Sequence, residues 1–120
     1  MRTLLINCTT WAGIGQLTDA LLIKDGRVLA IGSDALSKIT ASVWRSRGYG
    51  DFWSHLLVAE GAVDIAIEPE LQNYDMAAFI AVVLAAGGSV TGANGQDPLV
   101  AGQAITTNGL LHEVVLELIK

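Results

Sequence analysis

Two carboxylates, Glu68 and Asp75, stand seven residues apart beside the almost wholly apolar segment 76–86. Carboxylate oxygens are the ligands that hard cations such as Mg²⁺ use in proteins. Together with Asp64 and Glu70, the two residues could form an acidic patch that holds a cation weakly. The alternative role of Asp75 is structural, because the helix dipole and the free amides stabilise an acidic residue at a helix start. If the chain retains a catalytic site from an ancestral protein, Asp75 is the residue expected to belong to it.

The other side chains that could carry chemistry lack the neighbours that catalysis needs. His55 and His112 fall on predicted helices without a nucleophile pattern, so we interpret both as surface or half-buried residues rather than general bases. Neither Ser46 nor Ser54 lies in a Gly-x-Ser-x-Gly turn. The segment 13–18 only partly imitates a dinucleotide-binding loop, because its third glycine is missing. We therefore predict no catalytic residue among them.

Composition limits the class of protein. A chain of 120 residues suits a single domain, residues 1–120, with one core. Hydrophobic residues make up 52% and charged residues 16%, which suggests that another subunit covers part of the apolar surface. The net charge of -5 argues against a nucleic-acid partner. The longest apolar stretch is about half the length that spans a bilayer, and no signal-peptide pattern is visible. We therefore expect no membrane partner and a cytoplasmic location. Cys8 is the only cysteine, which excludes an internal disulfide.

The elements that would position these residues change in character along the chain. The first part predicts a strand at residues 3–8 and a hairpin of strands 20–24 and 27–31, joined by an Asp-Gly dipeptide that suits a type I′ turn. A short capped helix ends at Thr40. At residues 41–43 the pattern changes to glycine-spaced and aromatic residues, and we place a boundary there.

The second part alternates helices and strands. The predicted order is a helix at 51–60, a strand at 62–67, a helix at 75–86, strands at 89–91 and 103–106, and a last helix capped by Asn108. Because the third of these elements is apolar on nearly every face, we expect it to be sandwiched between layers. In the last helix, the residues expected to face the core are Leu110, Leu111, Val114, Val115 and Leu118. The alternation favours layered α/β packing.

Four stretches of the second part carry a family resemblance in the right order. They are Arg45–Trp53, Leu57–Ala66, Tyr74–Ala78 with Ala85–Gly88, and Thr107–His112. These stretches resemble the C-terminal half of the inositol monophosphatase superfamily, and within it most closely the histidinol-phosphate phosphatases. The resemblance implies a layered α/β fold for residues 43–120 and a Mg²⁺-dependent hydrolysis of phosphate esters. It also implies that Asp75 is similar to a metal-binding aspartate and Glu68 to an acidic residue that faces the polar group of the substrate.

Residues 1–42 resemble a different family, the amidohydrolases, in whose N-terminal β-domain a strand leads to a hairpin like that at 19–32. The His-x-His pair that amidohydrolases carry in the following barrel is absent from this sequence. We therefore predict a chimera, natural or artificial, in which a strand and hairpin are joined to the α/β segment 43–120.

The remaining metal ligands of the phosphatase family are not found in the sequence. Those ligands are an early glutamate and an Asp-Pro-x-Asp-Gly-Thr-type loop, of which residues 96–99 match two letters only. Because Mg²⁺ needs several oxygen ligands in fixed geometry, one aspartate is not enough. We therefore predict a folded domain without catalytic function and without a cofactor, in which Asp75 is a vestigial metal ligand and Glu68 a vestigial substrate contact.

Two alternatives stay open. One is a Mg²⁺-dependent phosphomonoesterase for histidinol phosphate or inositol phosphate, active alone or after complementation by a missing half. The other is a scaffold whose apolar surface binds a different protein. We further expect a homo-oligomer, a dimer or larger, with the N-terminal strands packed on the α/β unit or exchanged between chains. The expected core or interface anchors are Trp11, Trp44 and Trp53.

Overall fold

The computed structural model describes residues 3–6, 33–49 and 51–120 of the chain. Its strands are β1 (Thr3–Ile6), β2 (Arg45–Arg47), β3 (Ile65–Glu68), β4 (Ser89–Thr91) and β5 (Ala104–Thr107). Its helices are α1 (Ser33–Ser42), α2 (Asp51–Glu60), α3 (Asn73–Ala85), α4 (Pro98–Ala101) and α5 (His112–Leu118). The predicted α/β fold is confirmed.

The strands form one mixed sheet in the order β2-β1-β3-β5-β4. β1 is parallel to both of its neighbours, β2 and β3, whereas β5 is antiparallel to β3 and β4. All four residues of the central strand β3 are buried. Burial at consecutive positions means that both faces of the sheet are covered at this strand, since successive side chains point to opposite faces.

The two faces of the sheet are covered by different helices. Ile65 and Ile67 of β3 pack with Ile39 of α1 and with apolar residues of α5. Ala66 lies on the opposite face, in a cluster with Val58 of α2. On that second face α2 and α3 pack against each other and against the sheet. The layers are therefore α1 with α5, the sheet, and α2 with α3, and Glu68 shares the α2 and α3 side with Ala66.

The helix α3 is covered on one side only by the described part of the chain. Met76, Phe79 and Val83 are buried, whereas Val82 and Leu84 are exposed. The prediction that this helix is sandwiched between layers is therefore wrong for the described residues, because apolar composition does not reveal which faces have a partner. No helix among the described residues is long and apolar enough to cross a membrane.

The last helix is rotated relative to its prediction. It buries Val115, Leu116 and Ile119, while Leu110 is 88% exposed and precedes the helix. Asn108 accepts hydrogen bonds from the amides of Leu110 (3.1 Å) and Leu111 (3.3 Å), so it caps the turn before α5 rather than α5 itself. The predicted core stripe is therefore confirmed at Val115, and Leu111 and Leu118 pack partly buried against the core, but the prediction is wrong at Leu110 and Val114, which are exposed.

The first 42 residues bear on the two-fragment interpretation only in part. β1 and α1 agree with the predicted strand and short helix, and β1 pairs with two strands of the second segment. The predicted hairpin at 20–31 lies outside the described residues, and exchange of strands between chains is not shown. The division of a single domain at residue 42 stays a prediction. The strand β2 and the short helix α4 were not predicted.

Candidate functional site

Glu68 is a buried carboxylate at the end of the central strand. It is the last residue of β3, it pairs in register with Ala104 of β5, and its side chain is only 6% exposed. Burying a carboxylate costs free energy that an apolar side chain would not cost. The burial of a charged side chain at such a cost makes Glu68 a candidate for function.

Asp75 lies in the first turn of α3, as predicted, and is half-buried. Its backbone amide donates to the carbonyl of Gln72 over 2.9 Å. Gln72 occupies the N-cap position and makes no side-chain hydrogen bond to the helix. The carboxylate of Asp75 therefore stands at the positive end of the helix dipole, where both the structural role and a ligand role are possible.

A short loop places the two carboxylates at the same edge of the sheet. Residues 69–72 connect the end of β3 to the start of α3. Within this loop Leu71 is buried, and its amide donates to the carbonyl of Gly102 over 2.9 Å. This bond ties the loop to the residues that precede β5. The loop between Glu68 and Asp75 is thus fixed to the sheet by a backbone hydrogen bond.

The predicted patch of four carboxylates does not form. Asp64 immediately precedes β3 and Glu68 is its last residue. Their Cα atoms are therefore about 13 Å apart, at the rise per residue of an extended strand. Asp64 accepts a hydrogen bond from Asn108 Nδ2 over 3.2 Å, and Glu70 is exposed. Nowhere in the described ranges do three or more His, Cys, Asp or Glu side chains gather in a group that could hold a metal.

A Mg²⁺ ion therefore does not find a full ligand set in the described part of the chain. Mg²⁺ requires near-octahedral coordination by oxygen ligands and keeps several waters. Asp75, in the first turn of α3, is one carboxylate of the kind that Mg²⁺ binds, and Glu68 is buried at the end of β3. Further protein ligands would have to come from outside the described residues.

His55, on α2, lies in the core between α3 and the sheet, and is neither at the surface nor half-buried as predicted. Its side chain is fully buried, and its ring stacks on Phe79 with centroids 4.1 Å apart and planes 3° from parallel. Nδ1 lies 2.7 Å from Thr106 Oγ1 on β5. Burial lowers the pKa of His55 from 6.5 to about 3, so the ring is neutral at pH 7. No local sequence signal predicts this burial, because Phe79 and Thr106 are distant from His55 along the chain.

His112 is held by two threonines, and its hydrogen bonds define its tautomer. Thr91 Oγ1 donates to the carbonyl of Gly92 (2.8 Å), so it accepts from His112 Nε2–H over 2.9 Å. The unprotonated Nδ1 then accepts from Thr107 Oγ1 over 3.2 Å, and Thr107 accepts in turn from the amide of Gly109. Each group in this network has one donor and one acceptor role. The network joins β4 and β5 to the start of α5.

Both ring nitrogens of His112 are thus engaged in structural bonds. Burial lowers the pKa of this imidazole, and the nearby carboxylate of Glu113 partly opposes that change. The prediction of a surface or half-buried residue is wrong, since only 6% of His112 is exposed. Thr107, its partner, lies with Ile105 on the α1 and α5 side of the sheet, whereas Glu68 lies on the other side. His112 is therefore no base for chemistry at Glu68 and Asp75.

Comparison with known proteins identifies the family. The sequence profile described as the inositol monophosphatase family matches residues 22–120, well over half of the chain. The chain belongs to the inositol monophosphatase family. Its relatives include a histidinol-phosphatase from Streptomyces coelicolor, 47% identical over 83 residues, which cover 69% of this chain and 31% of that protein. A histidinol-phosphatase from Mycobacterium tuberculosis is 54% identical over 78 residues, which cover 65% of this chain and 30% of that protein.

Solved structures share the fold. The extragenic suppressor protein suhB from Bartonella henselae superposes with a TM-score of 0.77 at 26% identity, covering 99% of this chain and 41% of that one. An inositol monophosphatase from Zymomonas mobilis gives a TM-score of 0.72 at 22% identity, covering 98% of this chain and 42% of that one. The chain thus spans less than half the length of each of these four proteins.

These comparisons correct two predictions. The prediction of a domain without catalytic function is wrong, because the family profile and the histidinol-phosphatase relatives point to a phosphatase. The prediction that no cofactor is used is wrong for a related reason, since members of this family are Mg²⁺-dependent. The amidohydrolase resemblance and the chimera are not confirmed, and the family match begins at residue 22, inside the segment assigned to amidohydrolases.

Proposed function

We propose that this chain is part of a Mg²⁺-dependent phosphomonoesterase that hydrolyses the phosphate ester of an amino alcohol, as in histidinol phosphate. The observation that carries the proposal is the family match over residues 22–120, within which Glu68 and Asp75 border the same loop at one edge of the sheet. The names of the curated relatives support histidinol phosphate as the substrate.

In this proposal Asp75 is a metal ligand. Its carboxylate is half-buried, so it remains accessible while the first turn of α3 fixes its backbone. Bound Mg²⁺ neutralises phosphate oxygens and activates a water molecule. The chain spans 31% and 30% of the two histidinol-phosphatases. We therefore propose that the other ligands come from a segment outside the described residues, in the same protein or in a complementing partner.

Glu68 is the proposed contact of the substrate's polar group. A buried carboxylate gains most from a cationic partner, because the attraction between opposite charges offsets the cost of removing each from water. Histidinol phosphate carries an ammonium group, whereas inositol phosphate offers only hydroxyls. The burial of Glu68 therefore favours the amino alcohol ester over the inositol ester.

Asp75→Asn is expected to lower phosphate release from histidinol phosphate by at least about 100-fold. The loss of a direct ligand should exceed the roughly 10- to 100-fold cost of losing a group that only orients a ligand. Release would be measured with and without Mg²⁺, for the chain alone and after mixing it with the part of the Mycobacterium tuberculosis relative that the chain does not match. Glu113→Gln is the matched control, because Glu113 is an exposed acid in the first turn of α5. Activity that survives Asp75→Asn, or that needs no Mg²⁺, would refute the role of Asp75.

Glu68→Gln is expected to lower kcat/KM for histidinol phosphate by roughly 10- to 100-fold, the value of a hydrogen bond to a charged group. The same substitution should change kcat/KM for inositol 1-phosphate by less than about threefold, since no ammonium group is lost from the contact. The comparison of the two substrates is internal, so a general loss of folded enzyme would lower both. Equal losses on both substrates would contradict a contact between Glu68 and the ammonium group.

We also propose that the chain forms a homo-oligomer. Trp44 and Trp53 are 57% and 56% exposed, so they are not core anchors of the described structure. Large apolar side chains that stay exposed often mark interaction sites. Light scattering at micromolar concentration is expected to give at least twice the mass of one 12.6 kDa chain. A monomer would contradict the proposal.

A further inference from the structure

The relative position of Glu68 and Asp75 depends on how α3 packs on the sheet, because one carboxylate belongs to β3 and the other to α3. Gln72, the N-cap residue of α3, makes no side-chain hydrogen bond to the helix. The amides of Asp75 and Met76 both donate to the carbonyl of Gln72, the residue before the helix, over 2.9 Å and 3.2 Å. These bonds are local to the helix start and, apart from the bond of Leu71 to Gly102, do not reach the sheet, so among the described residues the packing of α3 on the sheet sets the position of Asp75.

The imidazole of His55 provides a direct connection between α3 and the sheet. Its ring lies flat on Phe79, which is one helical turn beyond Asp75 and on the same side of α3. Its Nδ1 is bonded to Thr106 over 2.7 Å. Thr106 lies two residues along β5 from the residue that pairs with Glu68, and on the same face of the sheet. Contacts thus run from the helix turn of Asp75 through His55 to the strand pair of Glu68.

Burying a histidine between α3 and the sheet costs more free energy than burying an apolar side chain there. The side chain is fully buried, and within the described part of the chain Nε2 has no hydrogen-bond partner. An unsatisfied buried polar atom costs free energy that a leucine of similar size would not cost. Burial also lowers the pKa of His55. What histidine adds over leucine is a flat ring for stacking and a directional bond to Thr106, which define a geometry as well as fill a volume.

We propose that His55 is a positioning residue for the candidate site: its ring, stacked on Phe79 and bonded to Thr106, sets the depth and rotation of α3 on the sheet. The place of Asp75 relative to Glu68 follows from that packing. The consequence for catalysis rests on the proposed function. The positioning itself is a property of this chain, and it can be measured without metal or substrate.

The test compares hydrogen exchange at the first turn of α3 in the wild-type chain and in His55→Leu, at pH 7 and without Mg²⁺. The probes are the amides of Asp75 and Met76, followed by NMR. His55→Leu fills the space but removes the stack and the bond, so both amides are expected to exchange at least about 10-fold faster. The midpoint of urea denaturation is expected to stay the same or to rise. Unchanged exchange in a folded His55→Leu chain would overturn the proposal.

Two further variants separate positioning from simple destabilisation. Thr106→Val releases the ring from its bond, so it is expected to accelerate exchange of the same two amides even if His55→Leu does not fold. Val115→Ala is the control, because Val115 is buried on the opposite face of the sheet. It should lower the urea midpoint without accelerating these two amides more than that of Val83 in the same helix. Selective acceleration in Val115→Ala, or none in Thr106→Val, would show that His55 only fills the core.

A kinetic readout distinguishes failure of this inference from failure of the proposed function. In active protein, His55→Leu is expected to raise the Mg²⁺ concentration for half-maximal phosphate release about 10-fold, because Asp75 is held less well. The KM for histidinol phosphate should change less than about twofold. If the wild-type protein releases no phosphate under any of the conditions above, the proposed function fails, and hydrogen exchange still decides the positioning role. An unchanged Mg²⁺ requirement in an active variant would overturn the link from His55 to Asp75.

Discussion

Lowering the pH from 7 to 5 is expected to destabilise the folded chain by about 2 kcal/mol through His55 alone. The pKa of its buried imidazole is lowered from 6.5 to about 3, so the unfolded chain binds a proton in a range where the folded chain does not. Stability from this group is fully present above pH 6.5 and is lost progressively as the pH falls toward 3. Urea denaturation followed at pH 7, 6 and 5 would measure the slope, about 1.4 kcal/mol per pH unit below pH 6.

The comparison that isolates His55 is the same titration of His55→Leu. This variant should keep only the slope due to other groups, among them His112, whose pKa burial also lowers. The difference between the two curves is therefore the contribution of His55. Parallel curves between pH 7 and 5 would mean that the folded chain protonates His55 as readily as the unfolded chain does, which would contradict its burial against Phe79 and Thr106.

Gly109→Ala is expected to lower the free energy of unfolding by about 3 kcal/mol or more. Gly109 has φ +84°, and a Cβ built there would lie 2.7 Å from the carbonyl oxygen of Gly87. The strain of a positive φ costs about 1–2 kcal/mol for an L residue. The additional cost arises because the clashing atom belongs to the backbone at the end of α3, which cannot rotate away as a side chain can.

Gly61→Ala is a matched control for this substitution. Gly61 has nearly the same backbone angle, φ +82°, but nothing lies within 4 Å of its added Cβ. It should therefore show the cost of the angle alone, about 1–2 kcal/mol. Urea denaturation of both variants gives the cost of the contact between Gly87 and Gly109 by difference. Equal losses would mean that the turn after β5 does not pack closely on the end of α3.

The sequence predicted the helices and strands of residues 51–120 well because their signals are local. A residue such as Asp51 at a helix start, glycine after a helix, and runs of branched apolar residues act within a few positions. The helix α2, for example, has the predicted bounds, Asp51–Glu60. The exposed strand β2 was missed since its Arg-Ser-Arg sequence has no apolar pattern, and it becomes a strand only by pairing with β1.

The sequence analysis named the candidate site residues Glu68 and Asp75 but did not predict how the structure arranges them. The resemblance of four sequence stretches to the inositol monophosphatase superfamily singled out Glu68 and Asp75, and the family match supports that resemblance. The absence of most ligands from the sequence led to the prediction of no catalytic function, which the family match contradicts. The chain covers less than a third of the length of its two curated relatives. The metal ligands that are missing from this sequence therefore do not argue against a metal site in a longer protein.

By itself the sequence determined the family, the α/β class and the positions of most elements in the second part, because these depend on residue order and short-range spacing. Only the tertiary structure decided which side chains are buried together. His55 bonds to Thr106, 51 residues away, and Asp64 to Asn108, 44 residues away, at the end of β3 opposite to Glu68. Contacts of this range arise from the packing of α2, α3 and α5 on the sheet, which no local pattern encodes.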